Sequence, residues 1–145
     1  MKKLTKPAAD ASVASAQVEI ESVVAAYETA LNASDTDKVI ALFAPDGVFM
    51  APNNPSTVGS DAIREAYTGI FQTITFRTEL SVDEITLVAQ DWAIVRTNSN
   101  GSVTVKAINQ QVPDANHELF AVQQDDDGKW KIARYCFSTT LPLRQ

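Results

Sequence analysis

The chain has 145 residues, 45% of them hydrophobic and 21% charged, which suits one globular domain with its own core. Its formal charge of −6 is the wrong sign for a protein that grips nucleic-acid phosphates without regard to sequence. No apolar run approaches the roughly 20 residues that a membrane-spanning helix needs, and the one cysteine, Cys136, excludes an internal disulfide.

A cytoplasmic protein without nucleic-acid or membrane partners is therefore expected, since nothing points to an oxidising compartment. Met1 to Ala16 are rich in Ala, Ser and Lys, and Pro7, Asp10 and Ser12 interrupt any apolar block. The segment reads as a flexible or loosely helical arm rather than an export signal. One domain is expected over residues 17–140, followed by a tail at 141–145.

From Val18, apolar residues recur at three- and four-residue steps (Val18, Ile20, Val23, Val24, Tyr27, Ala30, Leu31), which predicts a helix ending near Asn32-Ala33. Ser34 or Asp35 then caps a second helix that carries Val39, Ile40, Leu42 and Phe43 and ends at Pro45. A turn at Asp46-Gly47 leads to a short strand over Val48–Ala51, and Pro52-Asn-Asn-Pro55 makes a loop. A third helix follows Gly59, capped by Ser60 or Asp61, with Ile63, Ala66, Tyr67, Ile70 and Phe71 on its apolar side.

After Thr73 the chain turns to Val, Ile, Thr and aromatics. Strands are expected near Phe76–Leu87, Trp92–Asn98, Val103–Asn109, His117–Gln124 and Trp130–Phe137, with hairpin turns at Asn100-Gly101 and Asp127-Gly128. A two-residue loop at Asp127-Gly128 would put Glu118, Phe120 and Val122 on one face with Ala133, Tyr135 and Phe137. His117, Leu119 and Ala121 would share the other face with Ile132, Arg134 and Cys136. A bulge would exchange the faces. Three helices followed by an antiparallel meander make an α+β fold.

Motifs for phosphate cradles and dinucleotides are absent from the sequence, so no cofactor is expected. One His and one Cys do not make a zinc site. His117 and Cys136 fall on one predicted face, where a small buried thiol beside a strand histidine is the plain reading. Glu118 sits mid-strand beside Phe120, so burial would raise its pKa and suit it to acid–base work; a salt bridge or a solvent-facing position is the competing reading. Arg96 and Arg134 lie within strands, where they would pair with Glu118 or Glu79, meet another subunit, or face an anion. Asp125-Asp126-Asp127 reads as a solvated hairpin tip. Tyr27, Tyr67, Phe71, Phe120, Tyr135 and Phe137 fall on predicted inward faces, with Met50 and Asn54 near one rim, a mixture that suits a ligand pocket as well as a plain core.

The segment from Tyr27 through Asp46 to Met50 resembles the opening of the nuclear transport factor 2-like superfamily, which includes ketosteroid isomerases, SnoaL-like polyketide cyclases and the association domain of calmodulin-dependent kinase. Gly59-Ser-Asp-Ala-Ile-Arg-Glu-Ala-Tyr67 is similar to that group's third helix, and Gly128 to Ser138 to its last strand, so the likeness spans about Val18 to Ser138. Asn116-His-Glu-Leu-Phe120 and Ala133-Arg-Tyr-Cys-Phe137 resemble a subgroup of small bacterial proteins, often labelled oxidoreductases and linked to natural-product biosynthesis, that lack an established reaction. The resemblance implies a cystatin-like fold, a cone-shaped curved antiparallel sheet packed on three N-terminal helices. Tyr27 matches the isomerases' oxyanion-stabilising tyrosine. Their proton-shuttling aspartate falls at Ala51 and their second aspartate near Phe120, so steroid isomerisation is not expected unless Glu118 substitutes, which would require a shifted register.

Two functions are then open. The first is a small-molecule pocket acting on a hydrophobic, oxygenated, polyketide-like compound. Tyr27 would polarise a carbonyl and Glu118 would move a proton. Met50, Asn54, Tyr67, Phe71, Phe120, Tyr135 and Phe137 would contact the ligand. The second is a non-catalytic binding or assembly module. Either would be a homodimer through the outer sheet face, which Trp92, Ile94, Trp130, Ile132 and Arg134 would supply.

Overall fold

The computed structural model describes residues 6–143. Among them, α1 (Lys6–Asn32), α2 (Thr36–Leu42) and α3 (Ser60–Thr73) pack against one six-stranded sheet. Its strands are β1 (Phe43–Met50), β2 (Thr57–Val58), β3 (Ile74–Ala89), β4 (Trp92–Val105), β5 (Gln110–Gln124) and β6 (Trp130–Thr139), in the order β2-β1-β6-β5-β4-β3. The expected α+β architecture is present. The sheet is mixed rather than wholly antiparallel, because β1 runs parallel to β6, and it is curved and open. Met1–Thr5, at the start of the expected arm, lie outside the described residues. Its remainder enters α1, which begins at Lys6 rather than near Val18.

In α1, Ile20, Val24, Tyr27 and Leu31 are buried at helical spacing, while Val18 stays exposed. Asp35 is the cap of α2, accepting the Lys38 N–H at 3.1 Å. α3 has no side-chain cap; Gly59 stands at its cap position and neither Ser60 nor Asp61 serves. Two side chains dock α1 on the free edge of β3. The Asn32 amide pairs with both the N–H and C=O of Thr78 at 2.9 Å, and Glu28 accepts the Leu80 N–H at 2.7 Å. They satisfy edge groups that would otherwise invite another strand.

Asn100-Gly101 is not a turn. β4 passes straight through it, paired on both sides, to β3 and β5. The glycine is there for a different reason: a Cβ at Gly101 would lie 2.0 Å from the Arg77 carbonyl oxygen. The chain reverses instead around Lys106–Asn109, where Asn109 has φ 50°. The strands expected at Trp92–Asn98 and Val103–Asn109 are thus one strand, and β5 begins before Pro113. The ring is tolerated because β6 reaches β5 only from Asn116 onward.

The β5–β6 hairpin carries two irregularities that cancel. Its loop is closed by Asp125 N–H to Lys129 C=O, with Gly128 at φ 83°, so three residues turn it rather than two. A bulge between Ala121 and Val122 then restores the register, and Glu118 faces Phe137 and Phe120 faces Tyr135. The pocket side forms as anticipated. Below the bulge, Val122 pairs with Ile132, so Ile132 faces the core instead of the outside.

Candidate functional site

A cavity of about 320 Å³ lies between α1, α3 and the inner sheet face. The alternation of β4 and β5 builds its polarity. On the inward face Ala93 and Val95 are followed by Thr97 and Ser99, and Val122 and Phe120 by Glu118, Asn116 and Asp114. The closed end is therefore apolar, and the polar groups lie toward the opening. Ser99, Thr78, Asp114, Asn116 and Glu118 supply polar lining, and Leu31, Phe49, Ile70, Phe76, Leu80 and Phe137 apolar lining. Exposed Pro52 and Asn54, from the loop after β1, form part of the rim.

Glu118 is only 6% exposed. It pairs with neither Arg96 nor Arg134 and does not face solvent. Its Oε1 accepts the Thr97 hydroxyl at 2.5 Å and its Oε2 the Ser99 hydroxyl at 2.6 Å, both from the neighbouring strand. Burial pushes its carboxyl above the usual range, and Asp114 adds to this; the Ser99 and Thr97 hydroxyls, and more weakly His117, pull it back. The donors come from a cross-strand partner, Thr97, and from the residue two further on, so one register fixes both contacts.

All three tyrosines of the chain converge on the cavity. The Tyr27 and Tyr67 hydroxyls are 2.6 Å apart, and the Tyr27 ring meets Tyr135 edge-on at 5.3 Å. Burial pushes the Tyr27 phenol up to about 12, against hydrogen bonding to Tyr67 and Tyr135. Burial first, and the neighbouring Tyr27 next, hold Tyr67 and Tyr135 well above the ordinary tyrosine range. All three are neutral phenols at physiological pH, able to donate to a ligand oxygen.

Of the residues expected at the site, Tyr27, Asn54, Tyr67, Glu118, Tyr135 and Phe137 line the cavity. Met50, Phe71 and Phe120 do not. Met50 pairs with Cys136, which stands on the outer face, and its neighbours Phe49 and Ala51 take the inner positions. Phe71 is buried against Tyr67 and Phe76. Phe120 is 0% exposed and lies behind the wall, stacked on Tyr135 at 4.5 Å and edge-on to Tyr27 at 5.7 Å. It supports two phenols and is not among the residues that line the cavity.

Ser99 falls at the expected Asn100-Gly101 turn, and Asp114 and Asn116 fall before the expected start of the His117 strand, so none was placed on an inward face; Thr97 lies within the expected Trp92–Asn98 strand but was not singled out. On the outer face, His117 Nε2 lies 2.7 Å from Ser138 Oγ, and Cys136 shares that face without a hydrogen bond to the histidine. Arg96 pairs with Glu84 at 2.5 Å, and Arg134 donates to the backbone oxygens of Asp46 and Ala133. Trp130 and Ile132, expected on a subunit surface, are buried in the core. Asp125 organises the hairpin tip, accepting the Asp127 and Lys129 N–H groups. Among the described residues no helix is long and apolar enough to cross a membrane, and no cluster of three metal-binding side chains occurs.

The SnoaL-like domain family matches residues 23–135, so the chain belongs to that family, within the nuclear transport factor 2-like superfamily. Among solved structures it is similar to a ketosteroid isomerase-like protein from Erwinia carotovora atroseptica SCRI1043. That likeness has 38% identity and a TM-score of 0.83, over 86% of this chain and 96% of that one. The hexachlorocyclohexane dehydrochlorinase LinA-type3 from Novosphingobium barchaimii LL02 has the same fold, with 10% identity and a TM-score of 0.80, over 91% of each chain. So does a domain with a cystatin-like fold from Nostoc punctiforme PCC 73102, with 19% identity and a TM-score of 0.72, over 88% of this chain and 78% of that one. No curated protein matches the chain.

Proposed function

We propose that this SnoaL-like domain binds a hydrophobic, oxygenated small molecule, polyketide-like in size and polarity, and rearranges it by proton transfer. The observation that carries this reading is a nearly buried carboxylate, Glu118, held by two hydroxyls in the same cavity as three neutral phenols. A C–H bond beside a ligand carbonyl breaks, its proton goes to a Glu118 carboxylate oxygen, and its electron pair moves onto the carbonyl oxygen. The Tyr27 hydroxyl, supported by Tyr67 and Tyr135, donates to that oxygen as charge develops. Glu118 then returns the proton to another carbon. The step is an isomerisation and needs no cofactor.

Steroid isomerisation is not this protein's reaction on this reading. The positions that resemble the isomerases' two aspartates hold Ala51 in the cavity wall and Phe120 behind it. The test is turnover of cyclic β-dicarbonyl and aryl-ketone compounds by the wild type, Glu118→Gln and Tyr27→Phe. Loss of about a hundredfold or more in Glu118→Gln is expected for a general base. Equal turnover by all three proteins removes the mechanism.

A second reading, a dimeric binding or assembly module, is favoured by the outer sheet face. There Ile94 and Leu119 are 37% and 44% exposed beside Trp92. Sedimentation of the wild type against an Ile94→Lys/Leu119→Lys variant tests it, with a dimer that becomes a monomer as the expected result.

A further inference from the structure

The cavity is one-sided in charge. Two carboxyl side chains, Asp114 and Glu118, line it, and among its described lining residues there is no Lys, Arg or His. The ion pairs among the described residues, Arg64–Asp37 and Arg96–Glu84, leave both out. Glu118 has both oxygens occupied by hydroxyl donors. Asp114, half-buried and nearer the opening, accepts the Asn116 amide on Oδ2 at 3.2 Å, and its Oδ1 takes no protein hydrogen bond among the described residues. Aromatic rings complete the wall, with Phe49, Phe76 and Phe137 joining the phenols. Their faces carry the negative end of the ring quadrupole and attract cations.

We propose that the ligand of this cavity carries a protonated nitrogen, placed at the rim end between Asp114 and the aromatic wall. This deepens the function proposed above but rests only on the cavity being a ligand site, not on Glu118 acting as a base. A carboxylate or phosphate on the ligand would meet two acidic groups and no counter-charge in a partly desolvated space, where like charges repel far more than in water. An ammonium meets an oxygen with a free lone pair and several ring faces. The whole-chain charge of −6 works the same way at longer range, drawing cations toward the opening. Asp114 suits this role better than Glu118 because it is half-buried and its Oδ1 accepts no protein hydrogen bond among the described residues, so an ammonium can meet it without breaking a protein contact.

The experiment is calorimetric titration of the full chain with three compounds of one skeleton: phenethylamine, phenethyl alcohol and phenylacetate. The amine is expected to bind about tenfold more tightly than the alcohol, as an ion pair plus a cation–π contact would give, and phenylacetate not measurably. Asp114→Asn keeps the shape and the Asn116 contact. It should bring the amine down to the affinity of the alcohol, with an unchanged circular dichroism spectrum and cooperative melt showing that the variant is folded. Equal affinities for amine and alcohol in the wild type, or tighter binding of phenylacetate, would overturn the charge preference while leaving a neutral-ligand site standing. If none of the three binds, the charge preference is overturned, while the function proposed above is decided by its own turnover test.

Discussion

Replacing Thr97 by Val isolates the contact that makes Glu118 usable. Thr97 is 1% exposed and Val has nearly its shape, so the change leaves no cavity. It removes one hydroxyl from a buried carboxylate, whose Oε1 then has no donor in place of the 2.5 Å contact. A hydrogen bond to a charged group contributes about 1.5–3 kcal/mol, so a loss of about 2 kcal/mol is expected at neutral pH, enough to lower the melting temperature by roughly 4–8 °C in a chain of this size. The loss should be specific to the ionised form. A protonated Glu118 needs the donor less, so the gap between wild type and variant should narrow as pH falls through the carboxyl's raised native value. Urea unfolding at neutral and acidic pH, in the Thr97→Val and Glu118→Gln backgrounds, gives a double-mutant cycle. An equal loss at both pH values, or an unchanged loss when residue 118 is Gln, would refute the account of Thr97 as a carboxylate donor.

The remaining predictions use other parts of the molecule. Because burial raises the Glu118 carboxyl, catalysis should fall on the acid side at a pH above the usual 4.5 of glutamate, and a pH profile of kcat/KM measures the limb. The same shift has a stability sign: the folded state holds this proton more tightly than the unfolded chain does. Its contribution is therefore full below pH 4.5 and lost as pH rises through the native value, so Glu118→Gln should inactivate without destabilising at neutral pH. The chain's three tyrosines are all in the cluster, so phenolate absorbance should stay near zero at pH 10 while the protein is folded. Stability should decline from about pH 10 toward 12 as the unfolded chain's phenols ionise; a single tyrosine titrating normally in the folded state would contradict the burial. Gly101→Ala forces a Cβ against the Arg77 carbonyl and should cost about 3 kcal/mol, read as a lower urea midpoint.

What the sequence made legible follows from which forces act locally. Helical spacing in α1 and α3 aims Tyr27 and Tyr67 inward, and the β-rich C-terminal half forms the curved sheet, because apolar periodicity decides both. The inward set Glu118, Phe120, Tyr135 and Phe137 was also legible, although by a route the residues conceal: an odd loop and a bulge, each shifting the hairpin by one, offset one another. Asn100-Gly101 misled because local turn propensity and tertiary contact use the same residue. A glycine that lets two backbones approach looks, in one dimension, like a glycine that turns. That ambiguity hid Ser99, and with it the longer β4–β5 pairing that sets Asn116 opposite Ser99 and Asp114 opposite Gly101. Met50 misled differently, since the parallel β1–β6 pairing that sends it outward joins segments far apart in the chain.

The pairing of Glu118 with two hydroxyls, rather than with a cation, bears directly on what the group can do. An arginine partner would neutralise it and hold its proton affinity low, making a fixed anion with little appetite for a substrate proton. Burial alone would raise that affinity further. Thr97 and Ser99 set a middle course: neutral donors favour the anion without cancelling its charge, so desolvation still dominates the shift. The carboxylate remains available as an acceptor yet is stronger as a base than one in water. The same logic explains why the phenols stand in a cluster of three. A lone buried tyrosine would lose its hydration with nothing in return, whereas Tyr27 meets Tyr67 at 2.6 Å and lies against Tyr135, and stays neutral to a pH at which it can still donate to a developing oxyanion.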